Sequence, residues 1–301
     1  KQIVEIFKAI GPNVQHQTIY KANPLKTMYA DKDEAQWNNV RQALEMNICI
    51  AFELKRKFVP PKKEKWAGMK TAVTIFDYFD EKTFKSVIPT KDYNPKTNYK
   101  KIKIKSEMNV DGNVNALKNI KDNNIELDFR TFHKYPQKYE KLISTALRFR
   151  KDLLLKTTNI LLSYNLFPGN YIALHIRRGD FHTTRPYIMQ MTTNDKIVKY
   201  LKSKINGYKL LLVSDEYDGN LIRELNKYCD EVICWATHRN NHYTEPVLDM
   251  LCCVPAKQFY GTPLSTFSSG IVSLRKRVGT HTSEEYICPF NQSNIPYWNK
   301  S

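Results

Sequence analysis

The sequence predicts an α/β protein whose second half is built on a parallel sheet. Three observations carry this. From residue 170 onward, short apolar runs alternate with helical stretches, which is the pattern of βαβ units. Tyr171 to Ile176 (YIALHI) and Lys209 to Val213 (KLLLV) are apolar at consecutive positions, as strands buried on both faces are. Polar residues follow these strands at once, at the carboxyl edge where open α/β sheets bind ligands.

Taken in order, residues 34–59 read as a loop, an amphipathic helix and a strand. Leu44, Ile48, Ala51 and Phe52 recur at helical spacing, and Phe58-Val59 runs into Pro60-Pro61, which stops regular structure. Residues 66–88 carry a Phe-rich stretch ending in TIFDYFDEKTFKSVIP. Residues 92–125 are rich in Asn and Lys and read as an exposed excursion with short strands such as Lys101 to Lys105. Residues 135–165 read as one long helix with Leu142, Leu147, Leu153, Leu154, Ile160 and Leu161 on its apolar face, ended by Phe167-Pro168-Gly169-Asn170. Beyond this break come helices at Lys196 to Lys204, Asn220 to Tyr228 and Pro246 to Val254, strands at Glu231 to Trp235 and Gln258 to Tyr260, and a helix from about Ser265. The change of texture places a domain boundary near 165, giving domains 1–164 and 165–301, with the last helix free to pack back on the first. There is no internal repeat.

The chain has 301 residues, enough for one large or two moderate domains, and its 42% apolar and 12% aromatic content supports a real core. Lys plus Arg exceeds Asp plus Glu by 47 − 30, or +17, a balance that favours polyanions: nucleic acid, anionic lipid or phosphorylated substrates. The plain alternative is an evenly Lys-rich surface. The clusters Lys55-Arg56-Lys57, Lys62-Lys63 and Lys100 to Lys105 lie apart, with few aromatics between them and no zinc finger, RNP-type strand or basic zipper, so nucleic acid is not an expected partner. Six cysteines (Cys49, Cys229, Cys234, Cys252, Cys253 and Cys288) form no C-x-x-C pair and read as buried thiols rather than a disulfide framework. There is one glycosylation sequon, Asn291-Gln292-Ser293. No apolar run approaches the ~20 residues that span a bilayer. The first residues lack signal-peptide features and start without Met. This fits a domain trimmed from a longer polypeptide whose leader or anchor has been cut away. The compartment stays open between a secretory lumen and a viral or cytosolic setting.

Three segments carry candidate chemistry. The first is His175-Ile176-Arg177-Arg178-Gly179-Asp180, directly after the strand YIALHI. Two guanidinium forks at a strand's carboxyl end suit a phosphate, although an RRGD string by itself is also a common surface ion-pair turn. His175 alternates with Leu174 and Ile176 and so projects from the opposite face. The second is Ser214-Asp215-Glu216 after KLLLV. A carboxylate there can accept from a base or a ribose, or Ser214 or Asp215 can simply cap the following helix. The third is Thr262-Pro263-Leu264-Ser265-Thr266-Phe267-Ser268-Ser269-Gly270, with hydroxyls and free amides at a helix start, suited to an anion. With Arg177 and Arg178 it makes a pyrophosphate clamp. Neither a P-loop nor GxGxxG is present. Metal ligation is poorly supported: His238 and His242 have i, i+4 spacing without a convincing helix, Glu245 does not complete a site, and Asp31-Lys32-Asp33 lacks a preceding hydrophobic strand.

Taken together and in order, these segments resemble the GDP-fucose-dependent fucosyltransferases of the α1,6-/protein O-fucosyltransferase superfamily. HIRRGD resembles the H-x-R-R-x-D signature, SDE the second motif, and Asp249 followed by LSTFSSGI the third, with a few extra residues between. WNNVRQALEMNICIAFELKRKFVPPKK is similar to the family's first loop, helix and strand, and TIFDYFDEKTFKSVIP to its Phe/Asp-rich segment, so the likeness runs from about Glu34 to Arg277. The resemblance implies a GT-B architecture: two Rossmann-like domains facing each other across a cleft, GDP-fucose on the C-terminal one and the acceptor on the N-terminal one. It implies that Arg177 and Arg178 stabilise the departing GDP and that His175 lies near the nucleotide. It further implies that Asp215 and Asp249 hold guanine or ribose, that Thr266, Ser268 and Ser269 bind phosphate, and that Asn39 lines the cleft. The family's first loop is usually glycine-rich, whereas here it reads Glu34-Ala35-Gln36-Trp37-Asn38-Asn39. Glu34 is its nearest loop carboxylate to a base, though out of register, and no Glu follows Asp180 in Phe181 to Arg185.

The expected activity is inverting transfer of fucose from GDP-fucose to a hydroxyl of a glycan or protein, with no metal and no cofactor required. The alternatives are a GT-B transferase using another nucleotide sugar, or a non-enzymatic binder of glycans or polyanions on the same fold.

Overall fold

The structure is a computed structural model and describes residues 2–12, 18–30, 37–63, 72–103, 109–128, 135–234, 245–282 and 286–287. The chain forms two compact units: Ile10–Leu153 builds one, and Leu154–Asn241 and Glu245–Ser301, with Lys1–Ala9, build the other. The N-terminal helix α1 (Gln2–Lys8), with Ile3 and Phe7 buried one turn apart, thus groups with the second unit, as do the residues from Leu154 on.

The first unit contains β1 (Asn23–Ala30), α2 (Trp37–Glu53), β2 (Arg56–Val59), α3 (Glu81–Val87), β3 (Lys100–Lys103), α4 (Val110–Leu117), β4 (Asn124–Asp128) and α5 (Glu140–Ala146). Its sheet has the order β2-β1-β4-β3, and every neighbouring pair is parallel. Residues 92–125 are therefore not an excursion. They supply β3 and α4 and lead into β4, a central strand whose Ile125 and Leu127 are wholly buried. Their Lys-rich side chains sit on the edge strand, where Lys100 meets Asp122 at 2.8 Å and Lys101 meets Glu126 at 3.3 Å. Strand β1 has no apolar run to announce it. Pro24 lies where the pairing with β2 slips register, between Asn23 and Thr27, a bulge where a missing amide is tolerated.

Helix α2 is buried on nearly every side from Trp37 to Ala51, not on one face. Its interior polar pair, Arg41 with Glu45, is joined by a salt bridge one turn apart. Arg56 is also buried and donates to the carbonyls of Asp122 and Asn123 at 3.0 Å and of Ile120 at 3.3 Å, tying β2 to the turn that enters β4.

The long helix expected at 135–165 is broken. A 3-10 turn at Gln137–Tyr139 and α5 are followed by non-helical residues before α6 (Lys151–Ser163). At the break the backbone finds tertiary partners: Asp80 N donates to Arg148 O (2.7 Å), Phe149 N to Ile10 O (2.8 Å) and Arg150 N to Tyr78 O (3.0 Å). These bonds, with Phe149 buried against Phe79, replace the i→i−4 ladder of one continuous helix.

The second unit continues with β5 (Tyr171–Ile176), α7 (Phe181–Thr184), α8 (Pro186–Met191), α9 (Asn194–Leu201), β6 (Lys209–Ser214), α10 (Gly219–Leu225), β7 (Glu231–Cys234), α11 (Glu245–Cys253), β8 (Gln258–Gly261) and α12 (Thr266–Val278). The sheet order is β7-β6-β5-β8, again all parallel. One face of β5 sends Ile172, Leu174 and Ile176 into a core with Ile197 and Leu201 of α9 and Leu221 and Leu225 of α10. Arg275 of α12 is wholly buried and gathers carbonyls at the end of α11, from Cys253 (3.3 Å), Val254 (3.0 Å) and Ala256 (2.7 Å). A cation there meets the negative end of the α11 dipole. Cys49, Cys229, Cys234, Cys252 and Cys253 are free thiols. Among the described residues no helix is long and apolar enough to cross a membrane.

Candidate functional site

Chain order changes direction at one point of the second sheet. From β5 the chain goes to β6 on one side and later returns to β8 on the other, so the loops after β5 and β8 diverge there, at a topological switch point. The turn 177–180 follows β5 and the segment 262–265 follows β8.

Four side chains tie these two loops together. Arg177 N donates to Thr262 Oγ1 at 2.8 Å, and that hydroxyl donates to His175 O at 3.0 Å. His175 Nδ1 lies 2.8 Å from Ser268 Oγ, and its ring packs 4.8 Å from that of Phe267. Ser265 caps α12, accepting from Ser268 N at 3.4 Å. The first-turn amides of Thr266 and Phe267 have no carbonyl in their own helix to pair with. The approach of β8 to α12 needs Gly261, where a Cβ would stand 2.6 Å from Ser268 Cβ and 2.9 Å from Phe259 Cε1. Leu264, in the turn between them, is held at a positive φ of 61°.

The two arginines differ. Arg177 donates through Nε to Asp180 at 2.9 Å and meets Asp215 Oδ2 at 3.2 Å. Arg178 turns away, with its side chain only 11% exposed. Its Nη1 bonds Asp218 and its Nη2 bonds Asn194, while its backbone amide donates to Asp215 Oδ1 at 2.9 Å. Asp215 therefore does not cap the next helix. Asp218 does, accepting from Leu221 N at 2.9 Å. A Cβ on Gly179 would come 2.7 Å from Asp215 Oδ2, so a side chain there would push into this carboxylate. At the rim, His182 Nε2 lies 3.5 Å from Glu216 Oε2.

Burial and the nearby Arg177 charge lower the His175 pKa from 6.5 to about 3, so the ring is neutral. It faces Ser268 from the side of the strand opposite Leu174 and Ile176, as the alternation requires. Burial raises the Asp218 carboxyl, but the bonds from Leu221 N, Asn194 and Arg178, with the Arg178 charge, outweigh it and hold the pKa at about 2.

The residues expected at the site are placed as follows. His175, Arg177, Arg178, Asp215 and Ser268 lie in one hydrogen-bonded network, and Thr266 and Ser269 sit on the first turn of α12 beside it. Ser268 is wholly buried with its hydroxyl committed to His175, and the Ser269 hydroxyl donates to Thr266 O at 3.0 Å. Asp249 lies on α11 of the same unit. Asn39 lies on the first turn of α2 in the other unit, and its Oδ1 is buried without a hydrogen-bond partner. Glu34, Asp31, Asp33, His238 and His242 lie outside the described residues. Strand β1 ends at Ala30, next to Asp31 in the sequence, but its residues NPLKTMYA are not a hydrophobic run. Asp218 and Asn194 belong to none of the three candidate segments. An Asp directly before the helical run GNLIREL was the available signal for the first. None existed for Asn194.

No protein-family model and no curated protein matches the sequence. Solved structures do match. POFUT1 in complex with GDP is similar over 89% of this chain and 100% of its own, at 11% identity and a TM-score of 0.69. POFUT1 in complex with GDP-fucose is similar over 88% of this chain and 98% of its own, at 11% identity and a TM-score of 0.66. NodZ α-1,6-fucosyltransferase soaked with GDP-fucose is similar over 83% of this chain and 92% of its own, at 12% identity and a TM-score of 0.57. The chain thus has the α/β fold, with two parallel-sheet units, of the GT-B fucosyltransferases that its motifs resemble.

Proposed function

We propose that the protein is an inverting fucosyltransferase that moves fucose from GDP-fucose to a hydroxyl of a glycan or protein acceptor. One observation carries the reading beyond the fold: the arginine turn after β5 and the N-terminus of α12 after β8 are joined at a switch point through Thr262, His175 and Ser268. A diphosphate at this point meets both a guanidinium and the positive end of a helix dipole.

In this reading the acceptor oxygen attacks the anomeric carbon of fucose from the face opposite GDP. The new C–O bond forms as the bond to the β-phosphate oxygen breaks, through an oxocarbenium-like transition state. The acceptor proton passes to a base, the role assigned to Glu34, and the bonding pair stays on GDP. Arg177 is the group that meets this growing charge. Its partner Asp180 is 54% exposed, whereas Asp215 is 22% exposed, so Asp180 is the carboxylate that yields to phosphate. Thr266 and Ser269 add to the phosphate cradle, Asp215 and Asp249 serve the ribose or the guanine, and Asn39 serves the acceptor side. Arginine and helix dipole take the part that a metal plays elsewhere, so transfer is proposed to be metal-independent.

The test is hydrolysis of GDP-fucose, with water as acceptor, by Arg177→Ala. Loss of one preplaced donor costs about 10²–10³ in kcat, with circular dichroism unchanged. Wild-type turnover in a folded Arg177→Ala protein refutes the reading.

A further inference from the structure

We propose that Asp218 and Asn194 are positioning residues that lock the Arg178 guanidinium and so hold the turn 177–180 in the shape that presents Arg177 to its ligand. The inference rests on the reading of this site as a GDP-fucose site.

The three side chains close a triangle. Arg178 Nη1 meets Asp218 Oδ2 at 2.5 Å, Arg178 Nη2 donates to Asn194 Oδ1, and Asn194 Nδ2 donates to Asp218 Oδ2 at 2.8 Å. The other oxygen of Asp218 takes Leu221 N. Both partners lie at helix starts: Asn194 is the first residue of α9 and Asp218 the cap of α10. Those helices are the ones packed on β5 through Ile197, Leu201, Leu221 and Leu225. The lock therefore ties a loop of four residues to helices packed on the buried core of the sheet. Arg178 suits this task because its planar fork reaches two acceptors at once and never loses its charge. Asp218 stays ionised at working pH because its carboxyl is held at about 2. Arg177, bonded to the half-exposed Asp180, keeps the freedom to change partners. A supporting group of this kind sets the position of a charge that acts in the transition state, where small displacements are costly.

The variant Asp218→Asn separates lock from cap, because Asn caps a helix as well as Asp does while the charge opposite Arg178 is lost. We expect kcat for GDP-fucose hydrolysis to fall about 10- to 100-fold. KM and the GDP affinity measured by calorimetry should change less than about threefold. Asn194→Ala should show the same split with a smaller fall. Asp80→Asn, the matching cap change on α3 of the other unit, should leave kcat as it is. Wild-type kcat in folded Asp218→Asn overturns the proposal, and so does a fall in kcat matched by an equal loss of GDP affinity, since that marks direct ligand contact. A wild-type protein that neither binds GDP nor cleaves GDP-fucose overturns the reading of the site instead. The lock is then read by a thermal double-mutant cycle of Arg178→Met with Asp218→Asn, in which coupling supports it and additivity overturns it.

Discussion

Adjacent residues in the RRGD turn have opposite surroundings: Arg177 reaches outward to Asp180, while Arg178 is held inside by Asp218 and Asn194. His175 shows the same inward use of a motif residue, and its burial makes a pH prediction. Its native pKa of about 3 lies below the unfolded value near 6.5. Between those values the unfolded chain binds the extra proton, so stability falls as pH drops from 6.5 toward 3, by at most about 1.4 kcal/mol per pH unit. His175→Gln should flatten this limb in urea denaturation at pH 4–6.5, and an unchanged slope would show that the ring is not buried neutral. Gly261 answers to space rather than charge. Gly261→Ala puts a methyl 2.6 Å from Ser268 and should cost about 1–3 kcal/mol, read as a lower thermal midpoint.

At the scale of elements, how much the sequence disclosed depends on how each strand is buried. YIALHI and KLLLV are covered on both faces, so their apolar runs are unbroken and they were placed within a residue of β5 and β6. The sequence NPLKTMYA of β1 has the same central position in its sheet, yet Leu25 is 71% exposed and Pro24 sits at a bulge, so no periodicity marked it. Leu154 and Leu161 keep helical spacing, but the steps of five and six residues from Leu142 to Leu147 and on to Leu153 do not, and the backbone bonds of Arg148, Phe149 and Arg150 to distant residues end α5 there. Buried arginines also escape sequence reading because they look like surface charge. Arg275→Met should leave the carbonyls of Cys253 and Ala256 without this donor inside the protein, while Val254 O keeps the Thr280 hydroxyl at 2.8 Å. A loss of about 3 kcal/mol or more follows, visible as a lower urea midpoint. A change under about 0.5 kcal/mol would mean that water already serves those carbonyls.

For the whole molecule, the net charge of +17 does not describe the site. In the turn region two arginines face Asp180, Asp215 and Asp218, so the proposed selectivity for a diphosphate rests on placement and not on a basic surface. GDP at a hundredfold excess over its dissociation constant should add about 2.7 kcal/mol to the stability of the second unit. That is a rise of roughly 5–10 °C in its thermal transition, and no shift at saturating GDP would argue against a nucleotide site. By itself the sequence determined the βαβ order of the second half, the strands buried on both faces and the polar motifs at their carboxyl ends, because each is written in residues that are neighbours along the chain. Only the tertiary structure decided which arginine faces outward, what neutralises the other and where the long helix breaks. The arginine outcomes depend on hydrogen bonds between residues 16 and 40 positions apart, and the helix break on bonds between residues 68, 72 and 139 positions apart, and none of these pairs is a neighbour along the chain.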